Sequence, residues 1–269
     1  MTKPEFSLDG LTLTEVQPVE LIKAADEAGF DFVSLYVQPP PIYASTLVCA
    51  ANERDCARAL ADAKVRAMVL EVFDLHSIAT VESFREAFER GARLGASTAV
   101  AINHSNRDRG QSADLLARMA EIARECGLGV DLEPVVGGST ATLQQGAELI
   151  AASGRDVGLV FDAWHVVGAG DDTADIDAVD RSLIRYVQLC DGPMPMTFHQ
   201  WMSGVVSERL YPGDGEFPLS EMLRLMPEGV PIGIEAPSLS RAQTGRSPLE
   251  QAREALAAMK QTLALLEPT

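Results

Sequence analysis

The sequence predicts an α/β protein, a (β/α)8 TIM barrel, built from all of residues 1–269 as a single domain. Short apolar or β-branched runs alternate with amphipathic stretches of helical period, which implies parallel strands joined by helical crossovers. Eight such units follow one another along the chain. The length alone fits either two small domains or one barrel of roughly 250 residues, and eight such units match a barrel better than an open sheet.

The strands are expected near 10–14, 31–36, 66–72, 97–102, 128–133, 157–162, 184–190 and 231–235. Helical patterns are expected near 17–28, 51–63, 81–94, 111–126, 141–153, 174–182, 218–225 and 247–265. Glycines punctuate the alternation. Ala28-Gly29-Phe30-Asp31 reads as a helix ending on a glycine cap before a new strand. Cys126-Gly127-Leu128-Gly129 and Ser153-Gly154 repeat the signal ahead of the fifth and sixth strands. Ser247-Pro248 reads as the start of the last helix. Two loops exceed the others. One runs from Gln38 through Pro39-Pro40-Pro41 to about residue 50, after the second strand, and the other from Asp191 to about Pro218, after the seventh. In a barrel both lie at the C-terminal face of the strands, where active sites are built, as lids or specificity segments.

The chain is 46% hydrophobic, enough for a full core, and its formal charge is −17. A surface this acidic repels phosphate backbones and anionic headgroups, so nucleic acid and membrane are poor partners. The opening Met-Thr-Lys-Pro-Glu lacks the basic-then-apolar order of a secretory signal. No apolar run approaches the ~18–20 residues that span a bilayer. Cys49, Cys56, Cys126 and Cys190 show no Cys-x-x-Cys spacing and read as reduced thiols of a cytoplasmic protein. Gly168-Ala169-Gly170 lacks the third glycine of a dinucleotide fingerprint, and no nucleophile elbow is present.

Four apolar runs in the second half end in, or lead into, an oxygen ligand: Glu133 in Val-Asp-Leu-Glu, Asp162 in Leu-Val-Phe-Asp, Gln188 in Tyr-Val-Gln-Leu, and Glu235 in Ile-Gly-Ile-Glu. An unpaired charge at the end of a buried run is costly, and a cation removes the cost. Hard oxygen donors suit Mg2+ or Mn2+. Gln188 is the neutral member and its amide oxygen the weakest donor. Other residues lie near strand ends. Glu71 ends the third strand and His104 follows the fourth, so both are candidate substrate contacts. Asp191 follows the seventh strand, placed to orient a ligand or a substrate hydroxyl. His199 sits in the long seventh loop, where it could reach the mouth or face solvent. Arg209 precedes a Pro-Gly-Asp-Gly turn and could hold a substrate carboxylate, phosphate or hydroxyl.

The chain resembles the xylose isomerase-like TIM-barrel superfamily, often labelled sugar phosphate isomerase/epimerase. Ala28-Gly29-Phe30-Asp31, Leu132-Glu133-Pro134, Phe161-Asp162-Ala163-Trp164-His165, Tyr186-Val187-Gln188-Leu189-Cys190-Asp191, Arg209 with Pro212-Gly213-Asp214-Gly215-Glu216, and Ile234-Glu235 carry the likeness, in order along nearly the whole chain. The resemblance implies that Glu133, Asp162, Gln188 and Glu235 bind the metal. It implies that Glu133 and Glu235 move the substrate proton, and that His165 supports the ligands or touches substrate. It also implies a homo-oligomer, since members commonly form dimers or tetramers. The seventh-strand ligand is typically a histidine in the epimerases. Glutamine in its place is similar to the 3-dehydroshikimate dehydratase branch.

The expected chemistry is proton abstraction beside the carbonyl of a small polyhydroxy substrate, with the enediolate stabilised by the metal. Isomerisation or epimerisation is the leading outcome. A lyase that expels a β-hydroxyl is the runner-up, with Gln188 as its support. A multi-zinc DNA-repair nuclease of the same superfamily needs more than the four histidines present and a basic groove. A non-catalytic sugar-binding barrel is the remaining alternative.

Overall fold

The computed structural model describes residues 4–39 and 42–266. Eight parallel strands close into a barrel in the order β1 to β8. They are β1 (Phe6–Leu8), β2 (Phe32–Tyr36), β3 (Arg66–Asp74), β4 (Thr98–Ile102), β5 (Gly129–Leu132), β6 (Gly158–Asp162), β7 (Ile184–Leu189) and β8 (Ile232–Ile234). The β1–β8 pairing of Phe6 with Ile232 and of Leu8 with Ile234 closes the ring.

Seven strands fall where the sequence places them. The first does not: Gly10–Thr12, expected inside a strand, is a 3-10 turn, and β1 lies before it. Phe6-Ser7-Leu8 and Leu11-Thr12-Leu13 carry the same apolar-polar-apolar pattern, so periodicity cannot choose between them. Tertiary partners choose. Thr12 donates its hydroxyl to the Ile234 carbonyl at 2.6 Å, and the Gly10 amide donates to Ser34 Oγ at 2.9 Å, which ties the turn over the strand ends.

The crossover helices are α1 (Pro18–Ala28), α2 (Glu53–Asp62), the pair α3 (Ile78–Ser83) and α4 (Arg85–Arg93), α5 (Arg109–Glu125) and α6 (Leu143–Ser153). After β6 come α7 (Ala163–Ala169) and α8 (Thr173–Ala178), after β7 α9 (Phe198–Ser207) and α10 (Leu219–Leu223), and after β8 α11 (Leu239–Ala242) and α12 (Pro248–Ala264). Gly29 and Gly154 end α1 and α6 in the left-handed region, at φ 93° and 62°. Ser247 caps α12 in a capping box with Glu250, and Pro248 takes the first turn. The helix expected over 81–94 is instead broken at Phe84 into α3 and α4. The one expected over 174–182 stops at Ala178.

Alternation along the strands separates two environments. Leu8, Val33, Leu35, Leu132, Phe161 and Ile234 join the main core against the helices. Residues of the other parity, Phe32, Val69, Val100, Val160 and Tyr186, form a second, smaller apolar cluster. Two positions further along the same parity stand Ser34, Glu71, Ile102, Asp162 and Gln188. The interior therefore passes from an apolar plug to a polar layer at the C-terminal end of the strands.

Both long loops reach that end. Part of the first, Pro40 and Pro41, lies outside the described residues. Beyond it, Tyr43 donates its hydroxyl to the Val206 carbonyl at 2.6 Å, so the loop after β2 is fastened to α9 in the loop after β7. Helix α9 lies close to α7 because residue 204 is glycine: a Cβ there would stand 2.3 Å from the Trp164 indole. Trp164 is fully buried, edge-on to Trp201 and tilted against Phe217, so its ring has little room to yield. Alanine would gain about 1 kcal/mol of helix propensity at this position, but overpacking costs about 1–3 kcal/mol. Gly204→Ala should therefore lower stability, with a smaller unfolding free energy in urea. An unchanged or raised midpoint would contradict the close packing.

Candidate active site

Glu133 follows β5, Asp162 ends β6, Gln188 is the penultimate residue of β7, and Glu235 follows β8. Asp162 and Gln188 are register partners across the β6–β7 pair, so their side chains leave neighbouring strands on the same face. All four are buried. Glu71 belongs to the same layer, although β3 does not end on it as expected but continues to Asp74. A cavity of about 260 Å3 opens above, and Glu71, Glu133, His165, Arg209 and Glu235 line it, with His104 also at its wall.

Arg209 ties this floor together. Its Nη1 donates to Asp162 Oδ2 at 2.9 Å and to Glu235 Oε2 at 3.1 Å. Its Nε and Nη2 donate to the Val205 carbonyl, which anchors the guanidinium to α9. The expectation that Arg209 holds a substrate anion is therefore not met: only 2% exposed, it is taken up by two carboxylates. Burial opposes ionisation of Asp162, but the charge and hydrogen bond of Arg209, the nearby His165 and the Trp164 amide together outweigh it and hold this carboxyl below its usual range. Glu133 goes the other way, raised by burial and then by the Asp162 charge. Glu235 is raised by burial and then by Glu71. Glu71 rises to about 8, through burial and then the charge of Asp9.

The residues fit a divalent cation. Gln188 Oε1 and Glu71 Oε1 are buried without a hydrogen-bond partner, although buried polar atoms are nearly always paired. An orphaned amide oxygen beside carboxylates crowded enough to raise one another's pKa is what a hard cation would relieve. The ligand atoms of Glu133, Asp162 and His165 lie within 4.8 Å of one another, as do those of Asp9, Glu71 and Glu235, so the acidic members of the expected set fall in two adjoining groups.

His165 is a close competitor as a ligand, with Nε2 3.6 Å from Glu133 Oε1 and 3.7 Å from Asp162 Oδ2. Its other nitrogen decides the matter. Nδ1 accepts the Val136 amide at 3.1 Å, so the proton of the neutral ring sits on Nε2. That nitrogen is a donor, which leaves no lone pair for a metal. Burial lowers the ring's pKa to about 4 and keeps it neutral.

Asp9, just after β1, was not singled out by the sequence. Fully buried, it accepts the Tyr186 hydroxyl and, at 2.8 Å, the Ser7 hydroxyl on Oδ1, and Gln188 Nε2 at 3.2 Å on Oδ2. Burial, then the Glu235 charge, lifts its pKa to about 8. By taking the amide nitrogen, Asp9 turns Gln188 Oε1 the other way. Gly233 makes room for this network: a Cβ there would lie 2.0 Å from Tyr186 Oη and 2.4 Å from Asp9 Oδ2.

Two expected contacts are corrected. Asp191 is buried but receives the amides of Gly192 and Phe217 on Oδ1 and of Gly213 on Oδ2, so both oxygens are spent folding the Pro-Gly-Asp-Gly turn. His199 lies on the exposed side of α9 and does not line the cavity. His104 is half-exposed beside Asp74, whose hydrogen bond raises its pKa. The four cysteines are unpaired, and no described helix is long and apolar enough to cross a membrane.

Residues 22–262 match the family model of the xylose isomerase-like TIM barrel. An inosose isomerase of Halalkalibacterium halodurans is 29% identical over 144 residues, 52% of this chain and 49% of that protein. The matched region thus spans about half the length of this curated relative. Among solved structures, the IOLI protein with a bound zinc atom superposes with a TM-score of 0.80 at 16% identity, covering 98% of this chain and 100% of that one. An L-ribulose 3-epimerase gives 0.71 at 18% identity, over 98% and 96% of the two chains. These structural likenesses show the fold.

Two outcomes follow from the geometry. Asp9→Ala removes the acceptor that holds the Gln188 amide nitrogen, so Mn2+ affinity measured by calorimetry should fall about 10–100-fold. Unchanged affinity would remove Asp9 from the site. His165 takes up a proton near pH 6.5 when unfolded and near 4 when folded, so the unfolded state binds more protons between those values. Stability present above pH 6.5 is therefore lost as pH falls toward 4, by about 3 kcal/mol in the metal-free protein. Urea unfolding at pH 7 and 4.5, wild type against His165→Gln, should show a smaller pH dependence in the variant.

Proposed function

This chain belongs to the xylose isomerase-like TIM-barrel family, and on that premise we propose that it is a divalent-metal-dependent isomerase or epimerase of a sugar or related hydroxy-ketone. The observations that carry the reading are two groups of buried acidic residues at the C-terminal end of the strands, Glu133 and Asp162 with His165, and Asp9 and Glu71 with Glu235, the orphaned oxygen of Gln188, and a cavity lined by Glu71, Glu133 and Glu235. Mg2+ or Mn2+ suits four oxygen donors. When bound, the cation supplies positive charge that offsets the negative charge developing as the carbon beside a carbonyl is deprotonated.

The protein's own groups carry the proton. Glu133 and Glu235 reach the cavity floor from β5 and β8, on opposite sides of the interior, which suits a pair of carboxylates that take up and return a proton. His165 presents a neutral Nε2–H near Glu133 and Asp162, so it serves as a hydrogen-bond donor to a substrate oxygen and not as a base. Arg209 keeps Asp162 ionised and fixes Glu235 from the side of α9. The loop after β2 is fastened to α9 beside the cavity by the Tyr43 hydroxyl on the Val206 carbonyl.

Gln188 favours a second reading, a lyase on the same floor. Loss of a β-hydroxyl would follow the same first proton abstraction, as in the dehydratase branch that the glutamine resembles.

Removal of metal by EDTA should abolish exchange of the substrate's α-proton with solvent, and Mn2+ or Mg2+ should restore it. Full exchange in protein verified metal-free would sink the proposal. Glu133→Gln and Glu235→Gln should each lower kcat by about 10²–10⁴-fold while substrate binding persists. A product of unchanged mass marks the isomerase, and one lighter by a water marks the lyase.

A further inference from the structure

We propose that the substrate is a hydroxy-ketone with an apolar body, an alkyl or aryl ketol, and not a polyhydroxylated or phosphorylated sugar; this deepens, and rests on, the hydroxy-ketone reading above. Nine of the sixteen residues that line the cavity are aliphatic or thioether side chains. Polar groups gather at the floor, where Glu71, Glu133, His165, Arg209 and Glu235 are almost fully buried. The walls belong to Ile42, Val72, Ile102, Val135, Met202 and Val206, with Ile42 and Met202 39% exposed at the outer end. The floor can serve one carbonyl and its neighbouring hydroxyl. Above the floor, Tyr36 and His104 are the only lining side chains among the described residues that can donate or accept, so most hydroxyls further along a sugar would meet side chains that do neither.

Charge excludes a phosphate as well. Arg209 is the sole arginine or lysine lining the cavity among the described residues, and its donors go to Asp162, Glu235 and the Val205 carbonyl. His165 is buried with its Nδ1 taken by the Val136 amide, and His104 leans on Asp74. A phosphate dianion would face Glu71, Glu133 and Glu235 with no free cationic side chain to receive it. In an apolar pocket one added hydroxyl is disfavoured by up to about a hundred-fold, and each well-placed methylene gains about 10–200-fold. Several unmatched hydroxyls therefore weigh decisively against a ketohexose.

The test uses the Mn2+-loaded full chain with three probes: propioin, D-fructose and the phosphate monoester of D-fructose. Exchange of the α-proton in D2O is followed by NMR, and binding of each probe is measured separately by calorimetry. Propioin is expected to exceed D-fructose by at least about a hundred-fold in kcat/KM, with the phosphate ester weakest. Equal or better exchange of D-fructose or its phosphate overturns the proposal. If no probe exchanges its proton, the isomerase reading fails and binding alone decides the substrate class. Tighter binding of propioin sustains it, whereas tighter binding of the sugar, or no binding of propioin, overturns it. Ile102→Thr places a hydroxyl on the wall in a β-branched frame and should shrink the propioin-to-fructose ratio at least about tenfold at an unchanged melting temperature. A ratio unmoved in that folded variant would contradict the role of the wall.

Discussion

Five carboxyl groups, those of Asp9, Glu71, Glu133, Asp162 and Glu235, are buried at one end of the barrel against one guanidinium. Much of the surrounding structure answers this imbalance. Burying a charge without a partner costs several kcal/mol, so the site must pair, protonate or coordinate its acids. Arg209 settles Asp162 and part of Glu235. Donors from Tyr186, Ser7 and Gln188 reach Asp9, yet its pKa is still lifted to about 8. Glu71, Glu133 and Glu235 are raised as well, Glu71 with an unpartnered oxygen, a crowding that a divalent cation would relieve.

The same guanidinium couples the acidic floor to the loop above it. Arg209 lies just after α9, donates backward to Val205, and stands over the Trp164 ring with its carbon 5.4 Å from the centroid. Helix α9 carries Met202, Val205 and Val206 into the cavity wall, and Gly204 lets it press on Trp164. One residue thus links the charge balance of the floor, the seat of α9 and the apolar lining. Chemistry and specificity are coupled mechanically, because displacing α9 would also withdraw the counter-charge from Asp162 and Glu235.

The barrel was legible because its signals are local and repeated: strand runs, helix periods and glycine caps. The oxygen residues after β5, β6 and β8 were legible because a carboxylate after an apolar run violates local expectation. What escaped depends on distant partners. Phe6–Leu8 and Leu11–Leu13 look alike until β2 and β8 select the former. Helix α7 reads Ala-Trp-His-Val-Val-Gly-Ala, apolar on most sides, and it is buried over its first turn, so no amphipathic period reveals it. Asp9 sits beside that misread strand, and its meaning appears only when Tyr186 and Gln188 arrive from β7, far along the chain. Asp191 and Arg209 were read as substrate contacts from loop position alone. Their partners proved to be three backbone amides and two carboxylates.

Gln188 shows why ligand identity and its surroundings must be read together. A histidine ligand presents one basic nitrogen, while its second nitrogen fixes the tautomer. A glutamine amide offers oxygen or nitrogen on a rotation, and only its oxygen can hold a cation. The structure supplies the missing constraint from outside the ligand set: Asp9 accepts the amide nitrogen, Tyr186 and Ser7 hold Asp9, and Gly233 leaves the space in which they meet. His165 is governed by the same logic in reverse, since the Val136 amide occupies Nδ1 and makes Nε2 a donor. A backbone amide and a buried carboxyl group, neither of them aimed at substrate, thus leave the Gln188 oxygen free of any protein partner and make His165 Nε2–H a donor.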